Sequence, residues 1–171
     1  DQMDDQYFAD EFDNIPTEIK PYDKKASIKL IWENKVGDND IKNLNLIFSE
    51  EFVIAATSDG SVRKMQMATG ETIWKKDISE EIMMGVGGDF ENILFITENS
   101  YLWCLDSAGN AVWKVFIDGE VLTTPVINKE KAYVGLANFE ILQIDLKQGD
   151  IDWRYIHSSP ALAFNGTSPL T

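Results

Sequence analysis

The chain has 171 residues, 29 of them acidic and 15 basic, one histidine, and a net charge of −14. An apolar share of 44%, with nine Phe, five Trp and five Tyr, supplies a packed core and excludes wholesale disorder. The acidity argues against nucleic acid, which needs clustered Lys and Arg, and against a polybasic grip on anionic lipid.

Residues 1–27 differ from the rest. Six acids (Asp1, Asp4, Asp5, Asp10, Glu11, Asp13) and no base fall in the first thirteen positions, followed by Pro16 and Pro21. This composition predicts an extended acidic arm, with a short helix over Tyr7, Phe8 and Phe12 as the alternative. The start at Asp1 is compatible with a processed or trimmed N-terminus.

From residue 28 to 171 a repeat takes over. Trp32, Trp74, Trp113 and Trp153 are spaced by 42, 39 and 40 residues, a period that signals repeat architecture. Gly70, Gly109 and Gly149 each stand four residues before a tryptophan. Two β-rich runs precede each glycine: Phe52–Thr57 and Val62–Met67, Ile93–Thr97 and Tyr101–Asp106, Ala132–Leu136 and Ile141–Leu146. Asp59-Gly60 is a hairpin signal, and each later glycine suits a turn that needs positive φ. An inner strand, such as Leu122–Asn128, is expected before each set. Four antiparallel strands per ~40 residues make a propeller blade. A single blade cannot cover both its faces, so blades must stack. Each tryptophan is expected to fill the gap between neighbours, where a flat ring buries much area.

The expected architecture is all-β: a partial β-propeller of four-stranded antiparallel blades with an acidic arm. Residues 28–171 hold about three and a half units, fewer than a ring of four to eight blades. The chain is therefore expected to be the N-terminal part of a longer protein, or to assemble through open edges.

Other signals are weaker. Apolar runs end after about four residues, as at Val53–Ala56, against the ~20 of a membrane helix. The single Cys104 excludes an internal disulfide and a Cys-rich zinc site, and in an alternating strand it reads as a small buried apolar group. His157 has no nucleophile motif beside it. Met83-Met84-Gly85-Val86-Gly87-Gly88 lacks the Gly-Lys-Ser/Thr ending of a phosphate loop and reads as a flexible inter-strand loop with an exposed Met pair. Asp38-Asn39-Asp40 is too short for a calcium loop. No catalytic or metal site is expected.

The Gly-x-x-x-Trp units resemble the quinoprotein-like (PQQ-like) propeller repeat, and within it the BamB family of outer-membrane assembly factors. The likeness runs through Leu30-Ile31-Trp32-Glu33-Asn34-Lys35-Val36-Gly37, Ala55–Val62, Gly119–Val126 and Ser159–Gly166. It implies an eight-bladed ring without catalysis or cofactor. It also implies a scaffold that grips the periplasmic POTRA domains of BamA and is tethered to the periplasmic face of the outer membrane through a lipidated cysteine, which this chain does not contain. The family's BamA contact lies in the loop that Ser158–Thr167 resembles, where it presents two apolar side chains and an arginine. Leu162 and Phe164 match the apolar pair; Asn165 stands at the arginine. Both apolar groups could instead pack inward against a following blade. A quinone-dependent dehydrogenase shares the repeat but is expected to carry a vicinal cysteine pair, whereas Cys104 stands alone. A propeller sensor or interaction domain of another system is a further alternative.

Overall fold

The computed structural model describes residues 27–37 and 44–156. Among them, twelve strands form three four-stranded antiparallel sheets, each a simple meander. The first holds β1 (Leu44–Phe48), β2 (Phe52–Thr57), β3 (Ser61–Gln66) and β4 (Thr72–Asp77). The second holds β5 (Ile82–Gly88), β6 (Asn92–Thr97), β7 (Tyr101–Asp106) and β8 (Ala111–Phe116). The third holds β9 (Val126–Asn128), β10 (Lys131–Leu136), β11 (Glu140–Asp145) and β12 (Ile151–Ile156). Strand β5 touches both β1 and β9, so the first strands of successive sheets run side by side. These sheets are propeller blades, here blades A, B and C.

The core lies between blades rather than within one. Successive residues of a strand point to opposite faces, so a blade covered on both sides reads as an unbroken apolar run. In β2, Ile54 and Ala56 join Ile93, Phe95 and Leu105 of blade B, while Val53 and Ala55 pack with Met65 towards Trp32 and Val36. On the other face of blade B, Leu94, Ile96, Leu102 and Cys104 meet Ala132, Val134, Leu142 and Ile144 of blade C. The alternation is what lets one strand serve two junctions.

The hairpin between β2 and β3 is built from its sequence. The Asp59 carboxylate accepts from the Thr57 hydroxyl and the Ser61 amide, and Gly60 sits at φ +87°. Ser100 (φ 61°) and Phe139 (φ 62°) hold the same place in blades B and C. The residue after each outer strand then returns to this turn: the Ile78 amide donates to the Gly60 carbonyl and the Ile117 amide to that of Ser100, both at 2.8 Å. Ile78 and Ile117 are buried between blades.

The structure differs from the sequence expectation at two places. Met83–Gly88 is not a loop but most of β5, paired to β6 with register shifts at Ile82/Met84 and Gly85/Gly87. Its glycines serve close approach: a Cβ on Gly87 would lie 1.9 Å from the Pro125 carbonyl oxygen, and one on Gly88 2.1 Å from that of Asn92. The Met pair splits, with Met83 exposed and Met84 packed on the core. The inner strand of blade C is also shorter than expected, Val126–Asn128. Upstream of it, Leu122 and Val121 still pair with the end of β10, Leu122 donating to the Gly135 carbonyl at 2.9 Å.

Candidate functional site

Three features of the described residues could do work: the indole junctions, an acidic rim, and an apolar groove. At the junctions, the Trp32 ring lies on Gly70, Trp74 on Gly109 and Trp113 on Gly149; a Cβ on any of these glycines would come within 2.7, 3.0 and 2.8 Å of the ring. All three glycines have positive φ, between +74° and +83°, the left-handed region only glycine enters freely. Each indole N–H donates to a main-chain carbonyl of the same turn: Trp32 to Met67 at 2.7 Å, Trp74 to Ser107 at 3.0 Å, Trp113 to Leu146 at 2.6 Å. The ring is thus held by apolar contact and by a polar tip, which suits an amphipathic side chain at a half-wet junction. The Asn34 amide adds a bond to the Gly70 carbonyl at 2.8 Å. Trp32 does this from a segment, residues 31–36, that carries no strand of its own among the described residues. Trp153 meets no such glycine among them and is 41% exposed.

Lys64 is a junction residue that the sequence reading missed. It is buried in β3, its ammonium 3.3 Å from the Ser107 carbonyl that also receives Trp74, and 4.4 Å from the Phe52 ring centre. A desolvated ammonium needs such partners. Its sequence signal was slight: it stands beside Arg63 in a short β-rich run, and nothing local tells which of the two cations is buried.

The rim that carries the β2–β3 and β6–β7 turns holds a polar cavity of about 420 Å³ lined by Ser58, Asp59, Ser79, Glu80, Glu81 and Glu98. Glu80 accepts from Lys114 and from the Thr97 hydroxyl, both at 2.6 Å, so these bonds hold its carboxyl below the ordinary glutamate range. The Lys114 ammonium also lies over the Tyr101 and Trp103 rings, at 4.0 and 4.7 Å. Because the Glu80 carboxylate is favoured in the folded state, its contribution is full above the unfolded glutamate pKa of about 4.3 and fades as pH falls through the lower folded value. The stability gap between wild type and Lys114→Met in urea titrations is expected to be widest at pH 7 and to narrow as pH falls below about 4.3, leaving the part that comes from the ring contacts. In blade C, Lys131 bridges Asp145 and Asp152 at 2.8 and 2.7 Å; these bonds raise the lysine and, at Asp145, lower the carboxyl.

Cys104 is wholly buried, and desolvation first, then the Asp89 and Asp106 charges, push its thiol up to about 12. Thiolate, not thiol, is the nucleophile. Labelling of the native protein by a thiol reagent is therefore expected to stay flat between about pH 7 and pH 9, and to become rapid only on unfolding in urea. No group of three or more His, Cys, Asp or Glu among the described residues is placed to hold a metal ion.

The groove, of about 470 Å³, lies on the open face of blade C between Leu122, Val126, Tyr133, Leu136, Phe139 and Ile141, and is almost wholly apolar. Sequence reasoning missed it, because only the sheet assignment shows which face of β10 and β11 lacks a neighbour. Leu162, Phe164 and Asn165, the expected partner contacts, lie outside the described residues, as do His157, Asp38-Asn39-Asp40 and the acidic arm.

The blade geometry and indole junctions define a propeller-repeat protein. The family model described as outer membrane protein assembly factor BamB matches residues 58–170, and the chain belongs to that family. It is 24% identical to the outer membrane protein assembly factor BamB of Bordetella pertussis over 91% of this chain, and spans about 40% of that relative's length. Among solved structures it is similar to BamB from Moraxella catarrhalis, with a TM-score of 0.59 and 24% identity over 70% of this chain and 36% of the other. It is also similar to the quinohemoprotein alcohol dehydrogenase of Comamonas testosteroni, with a TM-score of 0.53 and 20% identity over 65% of this chain and 20% of the other. Both likenesses concern the fold.

Proposed function

We propose that this chain is part of a non-enzymatic scaffold for outer-membrane protein assembly, acting at the periplasmic face of the outer membrane and binding the POTRA domains of BamA. What supports this reading is the family match across residues 58–170, together with a stack of rigid blades whose rim loops offer a fixed platform. Binding work needs placed side chains on such loops and no nucleophile. Leu162 and Phe164 are the proposed apolar anchors, since a few large side chains carry most of an interface's energy. Asn165 sits beside them and supplies a neutral contact where the resembled family has a charged one. Membrane attachment, on this reading, comes through a lipid anchor and not through the blades.

The test is co-purification with BamA. Leu162→Asp with Phe164→Asp is expected to lower retention by about two orders of magnitude, the loss of two anchors of roughly 1.5 kcal/mol each. The circular dichroism spectrum should not change. Undiminished retention would remove this loop from the interface. Asn165→Arg is expected to strengthen retention and to make it more salt-sensitive.

A further inference from the structure

We infer that blade B carries a cage for an ammonium group, walled by Glu80, Tyr101 and Trp103, and that Lys114 of the same chain is its resident occupant. The chemical class the cage takes is an alkylammonium ion, such as the end of a lysine side chain. Trp103 is the tryptophan that the ~40-residue period leaves over. The indoles of Trp32, Trp74 and Trp113 each donate to a main-chain carbonyl. The Trp103 indole N–H is buried and has no hydrogen-bond partner among the described residues. An unpaired buried donor is a cost, so this indole does not hold its place through its polar tip. Its ring is what makes contacts: it stacks on Phe95, with centres 6.1 Å and planes 13° apart, and the Lys114 ammonium stands over it.

Strand register builds the cage. Phe95 pairs with Trp103 and Trp103 with Lys114 across β6, β7 and β8, and directly opposed residues share a face. Tyr101, two residues along β7, shares that face too. The ammonium lies 4.0 Å from the Tyr101 ring centre and 4.7 Å from that of Trp103. Glu80, from the connection between blades A and B, supplies the anion at 2.6 Å, and the Thr97 hydroxyl fixes its other carboxylate oxygen. Aromatic faces attract a cation within about 6 Å, more strongly as water is removed, and such walls recognise alkylated ammonium groups. The Glu80 side chain is only 18% exposed, yet it lines the rim cavity, which gives a ligand a way in.

The other blades show that a simple latch needs no rings. A cation follows the outer-strand tryptophan in every blade: Lys75, Lys114 and Arg154. Lys75 meets Asp77 at 2.8 Å. Arg154 donates to the Asp118 carbonyl at 2.6 Å and lies 3.6 Å from Glu140. Opposite Lys75 stands Arg63, and opposite Arg154 stands Leu142, where blade B has Trp103. The aromatic wall is therefore an addition of blade B to a repeated cation.

The cage is independent of the BamA reading, and the 171-residue chain alone tests it. Lys114→Ala empties the cage, and n-propylammonium supplies the atoms removed. The probe is the indole N–H resonance of Trp103 in heteronuclear NMR spectra at constant ionic strength. In Lys114→Ala it should shift saturably, half-way at about 30 mM, on the scale of one desolvated cation–π contact. The wild type should not respond up to about 100 mM, because its own lysine competes from the adjacent strand. The neutral n-propanol should give no saturable shift. Adding Glu80→Gln or Tyr101→Leu to Lys114→Ala should raise half-saturation about tenfold and threefold. Glu80→Gln preserves side-chain shape, so the test stays decisive if Tyr101→Leu impairs folding. No saturable shift in Lys114→Ala, an equal response to propanol, or unchanged affinity in the Glu80→Gln variant overturns the cage.

Discussion

Gly87→Ala is expected to destabilise the protein by about 3 kcal/mol, the upper end of the overpacking range. The new methyl group would sit 1.9 Å from the Pro125 carbonyl oxygen and 3.0 Å from Thr124 Cγ2. The first of these neighbours is backbone and cannot rotate away, so β5 and the entry to β9 must separate. Gly135→Ala provides the contrast. There the nearest atoms belong to the Thr123 side chain, at 2.9 Å, whose hydroxyl accepts from the Gly135 amide, so turning it away costs that bond, about 1 kcal/mol. Urea denaturation midpoints of the two variants measure the difference. Similar small losses would show that the inner strands yield more readily than their geometry implies.

Trp113→Ala is expected to cost about 3 kcal/mol, the low end for removing a large aromatic, because the ring is half-buried. The loss has two parts: apolar contact with the Gly149 turn, and the 2.6 Å bond from the indole N–H to the Leu146 carbonyl. Trp113→Phe keeps most of the first and removes the second, and should fall between, near 1 to 2 kcal/mol. Trp153→Ala in the same chain should cost under about 1 kcal/mol, since its ring is 41% exposed and makes one edge contact, with Tyr133 at 6.3 Å. Urea titration of the three variants gives the order directly. Equal losses at positions 113 and 153 would remove the junction role of the indole.

The readable part of this fold was its turn chemistry. Asp59-Gly60 marked a hairpin because a carboxylate and a positive φ are both needed there. The glycines before Trp74, Trp113 and Trp153 marked a tight turn at a fixed distance from a large ring. Both signals are local, so they survive without knowledge of neighbours. The glycines of β5 were misread for the opposite reason. In isolation Gly85-Val86-Gly87-Gly88 looks like a loop; its demand for missing side chains comes from the paired strand β6 at Gly85 and Gly88 and, at Gly87, from Pro125, far along the chain. Lys64 is similar: its partners, Ser107 and Phe52, belong to another blade and another strand. Of the candidate contacts, the Leu162–Asn165 stretch was picked out by resemblance, and its geometry lies outside the described residues.

The sockets that receive the indoles are made of main-chain atoms: a glycine Cα and a carbonyl oxygen two or three residues before it. Side chains elsewhere in those turns are therefore free to drift without loosening the stack. A scaffold of this kind can exchange nearly its whole exterior over evolutionary time, and with it the shapes it recognises, while the spacing of its layers is inherited unchanged.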